Sequence, residues 1–170
     1  MNGGEVLIRR EQSHDESGVR AVNEAAFGQS DEADLVDRLR LEGAVLASFV
    51  AEQERDIIGH ILFSRTMIDV VNEPVLAVAL APLAVFPLNQ RRGVGSQLVR
   101  FGLDWLRTQG ERSVLVLGHP HYYARFGFST ACARLLTTPF PIEAFMALEL
   151  VPGALDGIRG AVRYPAAFGL

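Results

Sequence analysis

The sequence predicts an α/β domain built on a mixed sheet, and three observations carry that expectation. Residues 76–86 are apolar throughout, which a strand tolerates only when both of its faces are covered. Pro87 closes the run, and Gln90-Arg-Arg-Gly93-Val-Gly95-Ser96 leads straight into a helical pattern. There Leu98, Val99, Leu103, Trp105 and Leu106 fall mainly on one side, Gln97, Arg100, Asp104 and Arg107 on the other, and Gly110 ends the helix. Around this strand–turn–helix unit the remaining segments give the order β-α-α-β-β-β-α-β-α-β-β.

Each element has a local reason. Residues 6–10 are a short strand candidate. Ser13-His-Asp-Glu16 reads as a capping box opening a helix through Val19, Val22 and Phe27, and Gly28 ends it. Ser30 or Asp31 caps a second helix with Leu35, Val36 and Leu39 on one side, closed by Gly43. Residues 45–52 form a strand, Gln53-Glu-Arg-Asp56 a polar hairpin turn, and residues 57–69 a longer strand. Asn72-Glu-Pro74 turns the chain into the central strand. Beyond Gly110, residues 113–117 are a short apolar strand broken by Gly118-His-Pro-His121, and residues 122–126 fit a short helix. Residues 144–151 and 161–164 read as the last strands, separated by Pro152-Gly153.

At 170 residues the chain is one domain's worth, residues 1–170, and buries about 70% of its unfolded surface. Apolar residues make up 49% of it, so a packed core is expected. A net charge of −4 speaks against a nucleic-acid partner, which demands a basic face. The single cysteine, Cys132, excludes an internal disulfide and a multi-cysteine metal site, and reads as a small buried residue. His119-x-His121 has the spacing of a metal pair but no third ligand nearby, so no metal is expected. No basic region precedes an apolar core at the N-terminus, and no stretch reaches the roughly 18 apolar residues of a membrane span. A cytoplasmic protein without a membrane partner is the expectation.

The turn at Gly93 and Gly95 has the makings of an anion site. The first helical N–H groups lack intrahelical partners and point along the positive end of the helix dipole. Glycine leaves no Cβ in the way of a diphosphate approaching the backbone, although two glycines alone are equally ordinary turn residues. The string is not a P-loop, which needs Lys and Ser or Thr after its second glycine. Nor is it a dinucleotide fingerprint, since Gln97-Leu98 stand near the place of the third glycine.

Val85-x-Pro87 followed by Gln90-x-x-Gly93-x-Gly95 resembles the acyl-CoA signature of the GNAT superfamily of N-acetyltransferases. Downstream, Tyr122-Tyr123-Ala-Arg-Phe-Gly127-Phe128 resembles the segment of that family ending in Tyr-x-x-x-Gly-Phe. The resemblance covers most of the chain, more loosely from Pro139 onward. It implies a twisted mixed sheet with helices on both faces and a V-shaped split between the two central parallel strands. Pro82, which removes a ladder donor from the central strand, is expected at that split.

The resemblance also implies acetyl-CoA as cosubstrate, with Leu83, Ala84 and Val85 along its pantetheine arm and Gln90, Arg91, Arg92, Gly93, Val94, Gly95 and Ser96 around its diphosphate. Tyr123 takes the place of the proton donor to the leaving thiolate, while Tyr122 packs in place of the usual apolar residue. Two departures stand out. Val116 occupies a position where many members carry asparagine, and the turn Gly118-His119-Pro120 is short, as in a bacterial branch with Gly-x-Pro-x-Tyr-Tyr.

No general base stands out among His60, His119, His121, Glu24, Glu32 and Glu143, and His60 reads as a packed, satisfied histidine. Glu24, Asp31, Glu32 and Asp34 around the turn after Phe27 could attract an ammonium group or simply complement the second helix dipole. The expected activity is acetyl transfer to an amine, on a small molecule or a protein. The alternative is a non-catalytic acyl-CoA-binding module, and a homodimer is left open. An unrelated nucleotide-binding domain is remote, because the Walker lysine is missing.

Overall fold

The structure, a computed structural model, describes residues 4–170. Along the chain run β1 (Leu7–Arg10), α1 (Glu16–Phe27), α2 (Asp31–Leu41), β2 (Val45–Gln53), β3 (Asp56–Asp69) and β4 (Val75–Val85). They are followed by α3 (Val94–Thr108), β5 (Ser113–Leu117), α4 (Pro120–Tyr123), β6 (Leu136–Thr137), β7 (Phe145–Glu149) and β8 (Gly160–Arg163). The strands make an open mixed sheet in the order β1-β2-β3-β4-β5-β7, with β8 on β3 and β6 on β8. The expected class and element order are observed, with one strand added. β6 has only two residues, too few for any periodic pattern to announce it.

The chain forms two compact units. One comprises the described residues up to Phe63 together with Ala81–Gly102; the other comprises Ser64–Leu80 and Leu103–Leu170. In the first, consecutive residues of β2 face opposite ways, as the pleat requires. The ring of Phe49 lies 5.2 Å from Phe101 of α3, edge to face. Its neighbour Ser48 turns the other way, to His60 of β3, which in turn meets Asn23 of α1. Helices α1 and α3 therefore cover opposite faces, and α1 and α2 bury Val19, Val22, Ala33, Val36 and Leu39 against theirs.

The start of α1 differs from expectation by one residue. The cap pairs Gln12 with Asp15, not Ser13 with Glu16, and a 3-10 turn (Ser13–Asp15) precedes the helix. The cause is Arg9, whose guanidinium donates to both Asp15 oxygens at 2.7 and 2.9 Å. The Gln12 N–H donates to the same carboxylate at 2.7 Å. These bonds, the Arg9 pair first, pull the Asp15 pKa down to about 2 despite its burial. The β2–β3 hairpin turns at Glu54 and Arg55, both in the left-handed region at φ 51° and 72°, with no glycine to ease them.

His60 is completely buried, and its surroundings fix its tautomer. The Asn23 amide donates to the Val19 carbonyl at 2.9 Å and stands 3.0 Å from His60 Nδ1, so Nδ1 accepts. Nε2 then carries the proton and donates to Ser48 Oγ at 2.8 Å, while the Ser48 hydroxyl donates to Glu11. Arg40 donates to the other Glu11 oxygen. Burial pushes the His60 pKa below its ordinary value, against the pull of Glu11. Burial alone would raise Glu11, but His60, Ser48 and Arg40 outweigh it and hold the carboxylate below its usual range. In this chain of groups Asn23 Oδ1 is left buried without a partner, as are the Ser64 and Ser113 hydroxyls elsewhere among the described residues; an orphan acceptor of this kind costs about 1–3 kcal/mol.

In the second unit, β5 runs parallel to β4 through Val78↔Val114, Ala79↔Leu115 and Leu80↔Val116. On its other side it pairs antiparallel with β7, from Ser113↔Glu149 to Leu117↔Phe145. Ile68, Ala77, Leu115, Leu136, Phe145 and Val162 form the core here, with Cys132 packed against it, half-buried rather than fully enclosed. Burial pushes its thiol pKa up, which disfavours the reactive thiolate. Arg65 holds Glu111 with two bonds, at 2.9 and 2.5 Å, and so ties β3 to the start of β5.

The His60 chain sets a direction for acid sensitivity. A histidine held neutral in the fold but free to ionise when unfolded binds more protons in the unfolded state, so stability falls as pH drops below about 6.5. The melting temperature should fall between pH 7 and pH 5. His60→Gln, which removes the titrating ring, should flatten that slope; an unchanged slope would place the acid sensitivity elsewhere.

Candidate active site

The turn after β4 is built by three backbone choices. The Phe86 N–H donates to the Ile58 carbonyl at 2.9 Å and pins the strand end to β3. Pro87–Asn89 make a 3-10 turn, and the Gln90 side chain reaches back to donate to the Val85 carbonyl at 2.9 Å. Arg91 and Gly93 then both adopt left-handed conformations, at φ 62° and 83°. For glycine this is free; for Arg91 it costs roughly 1–2 kcal/mol, held against the open surface of the turn.

Helix α3 starts at Val94, inside the segment Gln90–Ser96 that leads into the helical pattern. Its first helical bond runs from the Gln97 N–H to the Gly93 carbonyl at 3.0 Å. The N–H groups of Val94 and Gly95 precede that bond and have no intrahelical acceptor. Arg91, Arg92 and Gly93 are exposed, Gly95 and Ser96 half-buried, and Val94 is packed into the core. The result is a positively polarised helix mouth with backbone donors at its lip and two arginines beside it.

Upstream, Pro82 and Ala84 are buried, whereas Ala81, Leu83 and Val85 are half-buried. The pairing of β4 with β5 stops at Leu80, and β4 continues to Val85. A regular, fully paired strand through Pro82 is thus not what forms.

In the second unit Tyr123 is 8% exposed, packed edge to face on Tyr122 at 5.1 Å and Phe128 at 5.7 Å. Gly118 is what lets it in: a Cβ there would fall 2.4 Å from Tyr123 Cε2. The short helix carrying Tyr123 begins at Pro120, earlier than the expected Tyr122, and a 3-10 turn (Ala124–Phe126) follows it. Tyr122 is the more open of the pair, with the Arg125 guanidinium 5.2 Å from its ring centre. Burial, reinforced by Tyr122, raises the Tyr123 pKa above that of an ordinary phenol. Val116 is a buried strand residue, as its apolar neighbours require.

Other residues singled out in the sequence separate into clear roles. His60 belongs to the buried chain. His119 and His121 are exposed, and no three His, Cys, Asp or Glu side chains gather for a metal ion among the described residues. Arg20 engages Glu24, Asp34 and Asp37, each at 2.9 Å, and Gln29 donates to Glu32. Those acids near Phe27 mainly answer an arginine and a helix start. None of the described helices is long and apolar enough to cross a membrane.

The family described as "Acetyltransferase (GNAT) domain" matches residues 7–131, which includes the β4–α3 turn and Tyr123. The chain belongs to the GNAT acetyltransferase family. It is 38% identical to the Escherichia coli protein named uncharacterized N-acetyltransferase YhbS, over 94% of this chain and 96% of that one. It is 41% identical to the E. coli protein named uncharacterized N-acetyltransferase YjhQ, over 75% of this chain and 72% of that protein. Among solved structures, E. coli YhbS in complex with CoA superposes with a TM-score of 0.90 at 35% identity, covering 100% of this chain and 95% of that one. A GNAT acetyltransferase from Brucella melitensis in complex with acetyl-CoA gives 0.81 at 35% identity, covering 96% and 98%. The mixed α/β sheet with helices is the fold of these enzymes.

The contact at Gly118 can be tested directly. Gly118→Ala drives a methyl group into the Tyr123 ring and should destabilise the protein by about 1–3 kcal/mol. Thermal melting checks the loss, and the tyrosine near-ultraviolet signal checks the displacement of the ring. A melting temperature equal to that of the parent would mean the ring has room to move.

Proposed function

We propose that this GNAT acetyltransferase moves an acetyl group from acetyl-CoA to an amine by direct attack within a ternary complex. The observation that carries the reading is the β4–α3 turn, where two left-handed residues aim helix-start N–H groups outward beside Arg91 and Arg92. The CoA and acetyl-CoA named for the YhbS and Brucella complexes support that donor. In this reading the diphosphate lies against the N–H groups of residues 91–96, and Gln90 braces the loop through Val85. The backbone of Leu83, Ala84 and Val85 takes the pantetheine arm, and an N–H there donates to the thioester oxygen as charge grows on it.

The amine nitrogen attacks the thioester carbon, the tetrahedral adduct collapses with cleavage of the C–S bond, and the nitrogen loses its extra proton toward solvent. The departing sulfur takes a proton from the Tyr123 hydroxyl, which solvent later restores. Because burial raises its pKa, Tyr123 stays protonated at neutral pH and cannot serve as the base. Proton transfer to sulfur is favoured only when the thiolate is equally desolvated, so the reading requires an enclosed sulfur.

Two substitutions test it. Gly93→Val puts a β-branched residue at φ 83° and should weaken acetyl-CoA binding in calorimetry while the fold survives. Tyr123→Phe keeps the ring and should lower turnover roughly 10²-fold with acetyl-CoA affinity nearly intact, whereas Tyr122→Phe should do little. Tight CoA binding with no transfer to any amine would instead mark a non-catalytic acyl-CoA-binding module.

A further inference from the structure

The second unit carries a cavity to which neither acetyl-CoA nor the proton donor has been assigned. It measures about 510 Å³, within the range of small-molecule sites, and its walls are Ala131, Ala133, Leu136, Ile142 and Phe145. Ile142, on one wall, is 76% exposed. A turn closed by the Ala144 N–H to the Pro141 carbonyl, at 3.1 Å, holds Ile142 and Glu143 at its tip.

The cavity also has two opposite charges. Arg134 lines it and uses Nη1 on the Ala131 carbonyl at 2.9 Å, with no carboxylate partner among the described residues. Glu143 lines it and has no hydrogen-bond or ion-pair partner among the described residues. Arg134 and Glu143 do not pair with each other. An apolar wall flanked by one exposed cation and one exposed anion complements a molecule that is itself dipolar around an apolar body.

The cavity is joined to the segment that carries the proposed acid. The Gly118 N–H donates to the Ala144 carbonyl at 3.0 Å, and a Cβ on Gly118 would meet the ring of Tyr123. Phe145, on the cavity wall, pairs with Leu117 at the end of β5.

We propose that this cavity binds a free hydrophobic α-amino acid as the acetyl acceptor, its carboxylate toward Arg134, its side chain against Ile142 and Phe145, and its ammonium toward Glu143, which takes the proton that must leave before the nitrogen attacks. The proposal rests on the acetyl-transfer reading above for turnover, but not for binding.

Binding of L-phenylalanine, L-serine and 2-phenylethylamine to the CoA-loaded protein tests it by calorimetry, alongside acetylation of each by acetyl-CoA. L-Phenylalanine should bind at least about tenfold more tightly than L-serine. Arg134→Gln should weaken L-phenylalanine about tenfold and leave 2-phenylethylamine, which lacks the carboxylate, unchanged. Ile142→Asp should weaken both apolar ligands and spare L-serine; Glu143→Gln should weaken all three. All three substitutions are at exposed positions, so the fold should hold. Equal affinity for L-phenylalanine and L-serine, or indifference to Arg134→Gln and Ile142→Asp, overturns the proposal. So does a preference for a peptide N-terminus over the free amino acid. Binding that follows this pattern without acetylation of the bound ligand overturns the acceptor role, while the transfer reading falls only if no amine at all is acetylated. Acetylation of amines with no dependence on these three residues sinks the cavity and leaves the transfer reading standing.

Discussion

Strand β4 is the constraint on which the rest depends. It must be apolar enough to be covered on both faces, yet it cannot remain an ordinary ladder, because Pro82 offers no N–H. Its pairing with β5 covers Val78 to Leu80, and its last residues are fastened instead at the far end, through the Phe86 N–H on β3. Everything chemical in the first unit follows from where that strand stops. The Gln90 side chain closes on its last carbonyl, and the chain then needs two left-handed residues to enter α3 with its first N–H groups outward.

The two units solve different electrostatic problems. The turn before α3 gathers positive character without burying any charge: backbone donors, a helix dipole and two exposed arginines. The segment around Tyr123 does the reverse, wrapping a phenol in aromatic rings so that its neutral form is favoured. Away from both, the first unit buries a full set of polar groups, and they are tolerated because each donor in Asn23–His60–Ser48–Glu11–Arg40 meets an acceptor.

Much of this was legible in the sequence because it was encoded locally. The strand from Ser113 to Leu117 coincides with its sequence pattern to the residue, since the apolar run ends there at a glycine. Gly28 and Gly110 stop their helices in the left-handed conformation that glycine permits. What escaped depended on partners distant in the chain. The cap of α1 shifted because Arg9 reaches across to Asp15, and β6 exists only because β8 lies beside it. The burial of Tyr123 was hidden too: the sequence shows a glycine at 118, not that its missing side chain leaves room for a ring. The absence of an asparagine at Val116 was visible from the start.

The hairpin between β2 and β3 is fastened away from its bend. Glu54 and Arg55 both sit in the left-handed region that side chains disfavour, so the turn adds strain rather than support. What holds the pair lies further along the strands, where Phe49 meets Phe63 edge to face and Ser48 meets His60. Glycine at either bend position would relieve the backbone without touching the contacts that hold the strands together.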